Sequence, residues 1–165
     1  MSISRNLLLW GSKNPWLLNH VPNYKFVRKA VKKFMPGEEL IDTITAAKDF
    51  QQKNIPTVFT RLGENITNLK DADEVTNHYL EVLDRISENK IKSEISLKLT
   101  QIGLDLSFER SLENFKSITR KAETLQNFIW IDMEGSSYTS TTLDFYKRIK
   151  ENYQNSGVCL QAFLK

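Results

Sequence analysis

Cysteine and long hydrophobic runs are both scarce in this 165-residue sequence. Cys159 is the only cysteine, so the chain forms no internal disulfide. Because it lies in an apolar strand pattern, we expect it to be a small buried hydrophobe. The longest early apolar run, at 7–10, is too short for a signal-peptide core or a membrane span. We therefore expect a cytoplasmic protein whose contact with the inner membrane, if it makes one, is peripheral.

Acidic residues are absent from the first 37 positions, whereas basic residues recur there: Arg5, Lys13, Lys25, Arg28, Lys29, Lys32 and Lys33. A basic helical arm over 1–37 is consistent with a transit peptide, a surface that meets anionic lipid, or a solvated helix face. We favour the solvated face, because runs of charge usually contact only water. The net charge of +3 is too small to predict a nucleic-acid partner.

The chain also lacks the short motifs of common nucleotide, hydrolase and metal sites. It has no G-x-G-x-x-G after its first strand, no P-loop, no G-x-S-x-G and no His/Cys/carboxylate cluster with metal spacing. His20 and His78 stand alone, and we expect both at the surface. Strand patterns are present instead over 57–60, 95–99, 128–132 and 158–164, separated by amphipathic helix patterns.

Helix-length connections between successive strands predict a parallel sheet. An open doubly wound sheet, a small four-stranded α/β domain and part of a (β/α)₈ barrel all fit this alternation. A complete barrel needs about 250 residues, and the sequence offers four units and then ends on a strand. We expect residues 38–165 to be the N-terminal half of such a barrel, with four parallel strands alternating with helices, preceded by N-terminal helices.

In parallel α/β folds, functional side chains gather where the strands end. The polar residues at those positions are Thr60, Arg61 and Glu64, then Lys98, Thr100 and Gln101, then Asp132 and Glu134, and last Gln161. Lys98 lies between two leucines, so it requires either an anion or a path to solvent. Asp132 could pair with Lys98, orient a cofactor, or do both. The side-chain amide of Gln161 would find its hydrogen-bond partners either in a polar network of the barrel or on the polar edge of a ring cofactor.

At these strand ends the sequence resembles the proline dehydrogenase family. The matching stretches are 61–65 (RLGEN), 96–105 (SLKLTQIGLD), 131–136 (IDMEGS), Tyr138 with Thr139, 143–146 (LDFY) and 158–164 (VCLQAFL). The similarity keeps one register from about residue 5 to the end of the chain. The second and third stretches are specific together, whereas either one by itself is a weak signal.

The resemblance implies a distorted barrel that holds FAD and oxidises L-proline to Δ1-pyrroline-5-carboxylate, with electrons passed to a membrane quinone. It also implies that Lys98 pairs with the proline carboxylate, and that Asp132 and Gln161 bind the flavin ring with Met133 close by. A fixed cation would orient the anionic end of the substrate. Groups on the polar edge of the flavin would tune the ring that accepts hydride.

The chain departs from the family pattern at two positions and in length. Thr60 stands where some members carry Asp, and Phe163 stands where Tyr is common. The family's remaining flavin and substrate groups belong to the second half of the barrel, so we expect little turnover from this chain alone. The alternatives are a non-catalytic half-barrel that needs a partner chain or self-associates, and a different flavin-dependent barrel such as a folate reductase.

Overall fold

The computed structural model describes residues 10–11, 14–27, 29, 37, 39–63 and 66–162. The chain divides into two compact units, 1–43 and 44–165. The predicted boundary near residue 37 stays a prediction. In the basic part of the predicted N-terminal arm, residues 25–27 and 29 are helical, and residues 28 and 30–34 lie outside the described residues.

The first unit contains the short helix α1, Pro15–His20, followed by the 3₁₀ segment Val21–Asn23. Asn14 caps α1 because its side-chain oxygen accepts hydrogen bonds from two backbone N–H groups of the first turn. Pro15 occupies the first helical position, where its missing N–H has no cost. His20 is exposed, as expected, and its ring stacks on Trp16.

The second unit is built on a four-stranded parallel sheet with strand order β1-β2-β3-β4. The strands are β1 Thr57–Phe59, β2 Ser93–Leu97, β3 Ile129–Asp132 and β4 Ser156–Cys159. The helices are α2 Leu40–Gln52, whose first four residues belong to the first unit, α3 Leu69–Glu88, α4 Phe108–Thr124 and α5 Thr139–Lys150. Each helical connection leads to the adjacent strand on the same side, so the order of the strands in the sheet follows the sequence and never reverses. A doubly wound sheet reverses its strand order instead, so the sheet is that of a partial (β/α)₈ barrel, as predicted.

Local chemistry explains where the helices begin. Asn68 is the N-cap of α3, and its side chain accepts from the Asp71 N–H. Asn68 has the extended backbone that a cap requires. It lies just before the first turn of α3, whose backbone N–H groups have no partner within the helix. Ser107 is the N-cap of α4, and its side-chain oxygen accepts from the Arg110 N–H at 3.2 Å.

One face of the sheet is covered by helices and the other is open among the described residues. Ile95, Leu97, Ile129 and Ile131 are fully buried, whereas Val58 on the opposite face is 55% exposed. Side chains alternate between the two faces of a strand. The prediction that Cys159 is buried is therefore wrong, because its alternation places it on the open face, where it is exposed.

The strand boundaries also differ from the sequence prediction, by one residue in β1 and β3 and by two or more residues at both ends of β2 and β4. β2 ends at Leu97 rather than at 99, because Leu99–Ile102 forms a 3₁₀ segment that starts directly after Lys98. β4 runs over Ser156–Cys159 rather than over 158–164, so Gly157 lies inside the strand, and residues 163–164 lie outside the described residues. The helix α5 had already stopped at Lys150.

Candidate functional site at the carboxyl ends of the strands

The carboxyl ends of the four parallel strands lie along one edge of the sheet. Ile131 pairs with Leu97 of β2 and with Val158 of β4, and Asp132 pairs with Cys159. Lys98 continues the extended backbone of β2 with φ −96° and ψ 140°. By alternation, Lys98, Asp132 and Cys159 share the open face of the sheet, because the residues before them face the helices.

Asp132 is the last residue of β3 and is held by its neighbour strand. Ser96 Oγ donates to Asp132 Oδ1 across 2.6 Å. Sequence reasoning assigned Ser96 no role. Its place could have been predicted, because a serine two positions before Lys98 lies on the same face of β2 as Lys98.

Lys98 is half-buried between Leu97 and Leu99, which are both fully buried. It is the N-cap residue of the 3₁₀ segment. Its backbone N–H donates to Gln101 Oε1 at 3.2 Å, and its carbonyl accepts from the Gln101 N–H at 3.1 Å. The lysine therefore stands at a sharp change of chain direction, with its main chain fixed on both sides.

Gln161 lies beyond β4, and it joins this edge through Met133. Gln161 Nε2 donates to the Met133 carbonyl at 3.3 Å, and the Met133 N–H donates to the Cys159 carbonyl. The Met133 side chain is only 7% exposed, since it alternates away from Asp132 towards the helices. Met133 thus reaches the open face through its backbone.

Two further polar contacts hold the loops at this edge. Glu134 accepts hydrogen bonds from the Thr100 hydroxyl at 2.7 Å and from the Thr100 N–H at 3.3 Å. Gln101 Nε2 donates to the carbonyls of Arg61 and Gly63 in the loop after β1. The sequence pattern located Thr100, Gln101 and Glu134 at the strand ends without assigning them partners. Thr60 is exposed, and Glu64 lies outside the described residues.

Burial perturbs two titratable side chains on α3 near this loop. Desolvation raises the pKa of the Tyr79 hydroxyl, which donates to Gln101 Oε1 at 3.1 Å. Desolvation, together with the nearby Arg61 cation, lowers the pKa of His78. The expectation that His78 lies at the surface is wrong, because it is half-buried with its ring edge against Tyr79.

In the described parts of the chain, three or more His, Cys, Asp or Glu side chains nowhere come together as metal ligands would. Within the same residues, every helix is too short or too polar to cross a bilayer.

Four parallel strands in sequential order, with a polar cluster at their carboxyl edge, define part of a (β/α)₈ barrel whose functional face is that edge. A family profile described as "Proline dehydrogenase" matches residues 43–165. The chain therefore belongs to the proline dehydrogenase family.

Curated relatives agree with this assignment. The chain is 30% identical over 160 residues to proline dehydrogenase 1 of Bacillus subtilis strain 168, covering 97% of this chain and 53% of that protein. It is 28% identical to proline dehydrogenase 2 of Bacillus subtilis subsp. natto, covering 99% and 54%. The chain thus spans about half the length of these curated relatives.

The likeness of fold extends to a larger protein. Proline utilization A (PutA) from Bdellovibrio bacteriovorus, solved after inactivation by N-propargylglycine, superposes with a TM-score of 0.77 at 22% identity. The match covers 97% of this chain and 20% of that chain. The superposition supports the partial barrel.

Proposed function

We propose that this chain supplies the Lys98, Asp132 and Gln161 side of an active site that oxidises L-proline to Δ1-pyrroline-5-carboxylate with FAD. The observation that carries the proposal is the common edge on which parallel β2, β3 and β4 end. Membership of the proline dehydrogenase family supports the substrate.

The residues at this edge fit a flavin ring. Asp132 Oδ1 is occupied by Ser96, and Gln161 Nε2 is occupied by the Met133 carbonyl. Within the described residues, Asp132 Oδ2 and Gln161 Oε1 accept no hydrogen bond, so both remain available as acceptors. The ring of FAD carries an N–H donor that these oxygens would satisfy. FAD, when bound, supplies the hydride-accepting chemistry.

This chain's own residues would then act by binding and orientation. The Lys98 ammonium would hold the proline carboxylate, fixing the end of the substrate away from the reacting carbon. Ser96 would keep the Asp132 carboxylate in one orientation through its short hydrogen bond. The Met133 carbonyl would orient the Gln161 amide so that its oxygen faces the cofactor. For Met133 we propose this backbone role beside the flavin.

A protein that contains this chain together with the rest of the barrel tests the proposal. It should be purified with visible flavin absorbance and should reduce a dye when L-proline is added. Replacing Lys98 with Met removes a charge-assisted bond of about 1.5–3 kcal/mol, so KM for proline should rise about tenfold or more. Lys92→Met is the matched control, because Lys92 is exposed and lies just before β2, at the end of the strand opposite Lys98, and it should leave KM unchanged.

Two results would contradict the proposal. One is a complete protein that binds no flavin, and the other is a Lys98→Met variant with unchanged KM. Flavin binding with turnover of a folate instead of proline would favour a folate reductase.

The proposed electron acceptor is a quinone, which would be reached by peripheral contact with the membrane. Turnover that rises on adding quinone-containing vesicles would support it.

The open face of the sheet favours a second candidate for the isolated 165 residues. Val58, on that face, is 55% exposed, and Leu160, which follows β4, is 59% exposed. Uncovered apolar surface and strand edges promote association. As the alternative to catalysis, we propose a partial barrel that self-associates or binds a chain carrying the remaining strands. Sedimentation of the isolated chain as a monomer with cooperative melting would count against it.

A further inference from the structure

We infer that Gln101 is a positioning residue for substrate binding. Its side chain fixes the backbone of Lys98 to the loop after β1. This inference rests on the proposed function, in which Lys98 holds the carboxylate of proline. Gln101 itself is 1% exposed, so its side chain is removed from solvent and from any substrate.

The Gln101 carboxamide uses its full hydrogen-bonding capacity. Its Oε1 accepts from the Lys98 N–H at 3.2 Å and from the Tyr79 hydroxyl at 3.1 Å. Its Nε2 donates to the carbonyls of Arg61 at 2.7 Å and Gly63 at 2.9 Å. The partners also fix the orientation of the amide, because a flipped group would set its NH₂ against the Lys98 N–H and its oxygen against two carbonyls.

The hydrogen bonds of Gln101 reach the loop after β1 just beyond the last paired residues of β1 and β2. Pairing between β1 and β2 ends at Phe59 and Ile95, so the residues after Phe59 have no ladder bonds to β2. Gly63 has a left-handed φ of +112°, and the space around it is open. The loop is tied instead through the two carbonyls bound to Gln101 and through the Arg61 N–H, which donates to the Tyr79 hydroxyl at 3.2 Å.

A purely structural amide and a positioning amide predict different kinetics. An amide that only stabilises the fold would lower the melting temperature when lost and leave proline binding unchanged. An amide that fixes Lys98 would also weaken the contact to the carboxylate, because small displacements of a binding group have large effects on substrate alignment. KM for proline is therefore the informative quantity.

The test compares three variants of the complete, flavin-loaded protein. Gln101→Met keeps the side-chain volume and removes all four hydrogen bonds. Tyr79→Phe removes only the hydroxyl that contacts Gln101 and the Arg61 N–H. Asn127→Leu is the matched control, since the Asn127 amide ties β2 to β3 at the opposite end of the strands by donating to the Ser93 carbonyl at 2.8 Å.

We expect Gln101→Met to raise KM for proline by about tenfold, with a smaller change in kcat. Tyr79→Phe should raise KM in the same direction by less. Asn127→Leu should lower the melting temperature while KM stays within about twofold of the wild type.

An unchanged KM in folded Gln101→Met would overturn the assignment. If that variant does not fold, Tyr79→Phe decides, and an unchanged KM there overturns it equally. A rise in KM that Asn127→Leu shares would show general loosening and would also count against it. A wild type that binds flavin but does not oxidise proline would instead remove the proposed function, and the assignment with it.

Discussion

Alanine in place of Gly157 is expected to lower the free energy of unfolding by about 1–3 kcal/mol. Gly157 lies in β4 directly opposite Trp130 of β3. A Cβ at this position would lie 2.5 Å from Trp130 Cζ3, 2.8 Å from Trp130 Cε3 and 3.0 Å from Phe128 Cε1. Because carbon atoms in good contact are about 3.5–4.0 Å apart, the Trp130 ring would have to move by about 1 Å.

The ring of Trp130 is not free to make that movement. Its Nε1 donates to Glu94 Oε2 at 2.6 Å, and its centroid lies 4.8 Å from that of Phe128. A shift must therefore stretch the hydrogen bond or displace the second ring. Where alanine fits, its replacement of glycine stabilises a protein by about 0.4–1 kcal/mol through the unfolded chain. The sign of the effect at Gly157 is thus set by packing.

Urea unfolding of the complete protein measures this free energy. Gly135→Ala is the control, because a Cβ there meets no atom within 4 Å, and it should be neutral or slightly stabilising. Trp130→Leu removes the ring, so the penalty at Gly157 should shrink on that background in a double-mutant cycle. The reasoning would be refuted by a Gly157→Ala protein as stable as the wild type, or by an equal penalty with and without Trp130.

Three further changes test the helical layer. Phe145 is fully buried with its ring against Phe108 and Phe115. Phe145→Ala should therefore reduce the free energy of unfolding, measured by urea titration, by about 3–5 kcal/mol. A loss below about 1 kcal/mol would contradict the packing. Arg110 binds both carboxylate oxygens of Asp73 and lowers the pKa of that carboxyl. Because both side chains are more than a third exposed, solvent screens the pair, and a double-mutant cycle should give only a small favourable coupling. That stabilisation is present above the usual carboxyl pKa and disappears as the pH falls through the lowered value, so coupling that persists in strong acid would argue against the pair. Ser107→Ala should cost about 1 kcal/mol through loss of the α4 cap, and Ser117→Ala, exposed in the interior of the same helix, should be neutral or slightly stabilising because alanine has the higher helix propensity.

Much of the architecture was predictable because it depends on local patterns. The α3 residues Val75, Tyr79, Val82, Leu83 and Ile86 repeat at helical spacing, and all are buried. The apolar run before Asp132 indicated β3, and Ser107 marked the start of α4. Such signals act within one or two turns of chain, so the sequence carries them directly.

The contacts of the site were less predictable because their partners are far apart in the sequence. Ser96 and Asp132 are separated by 36 positions, and Gln101 and Arg61 by 40. The sequence located Lys98, Asp132 and Gln161 at strand ends, and the register of the sheet then determined which of them share a face. Their roles towards substrate and flavin remain predictions.

The sequence by itself determined that strands and helices alternate, that the strands are parallel, and which residues stand at their ends. Only the tertiary structure decided the order of the strands and which face of the sheet is covered. Cys159 and Gly157 show the reason. An apolar strand pattern indicates that burial is favourable. Whether a side chain is exposed depends on the layer packed against its face, and whether it has room at all depends on the side chains of the neighbouring strand, as Trp130 shows for Gly157.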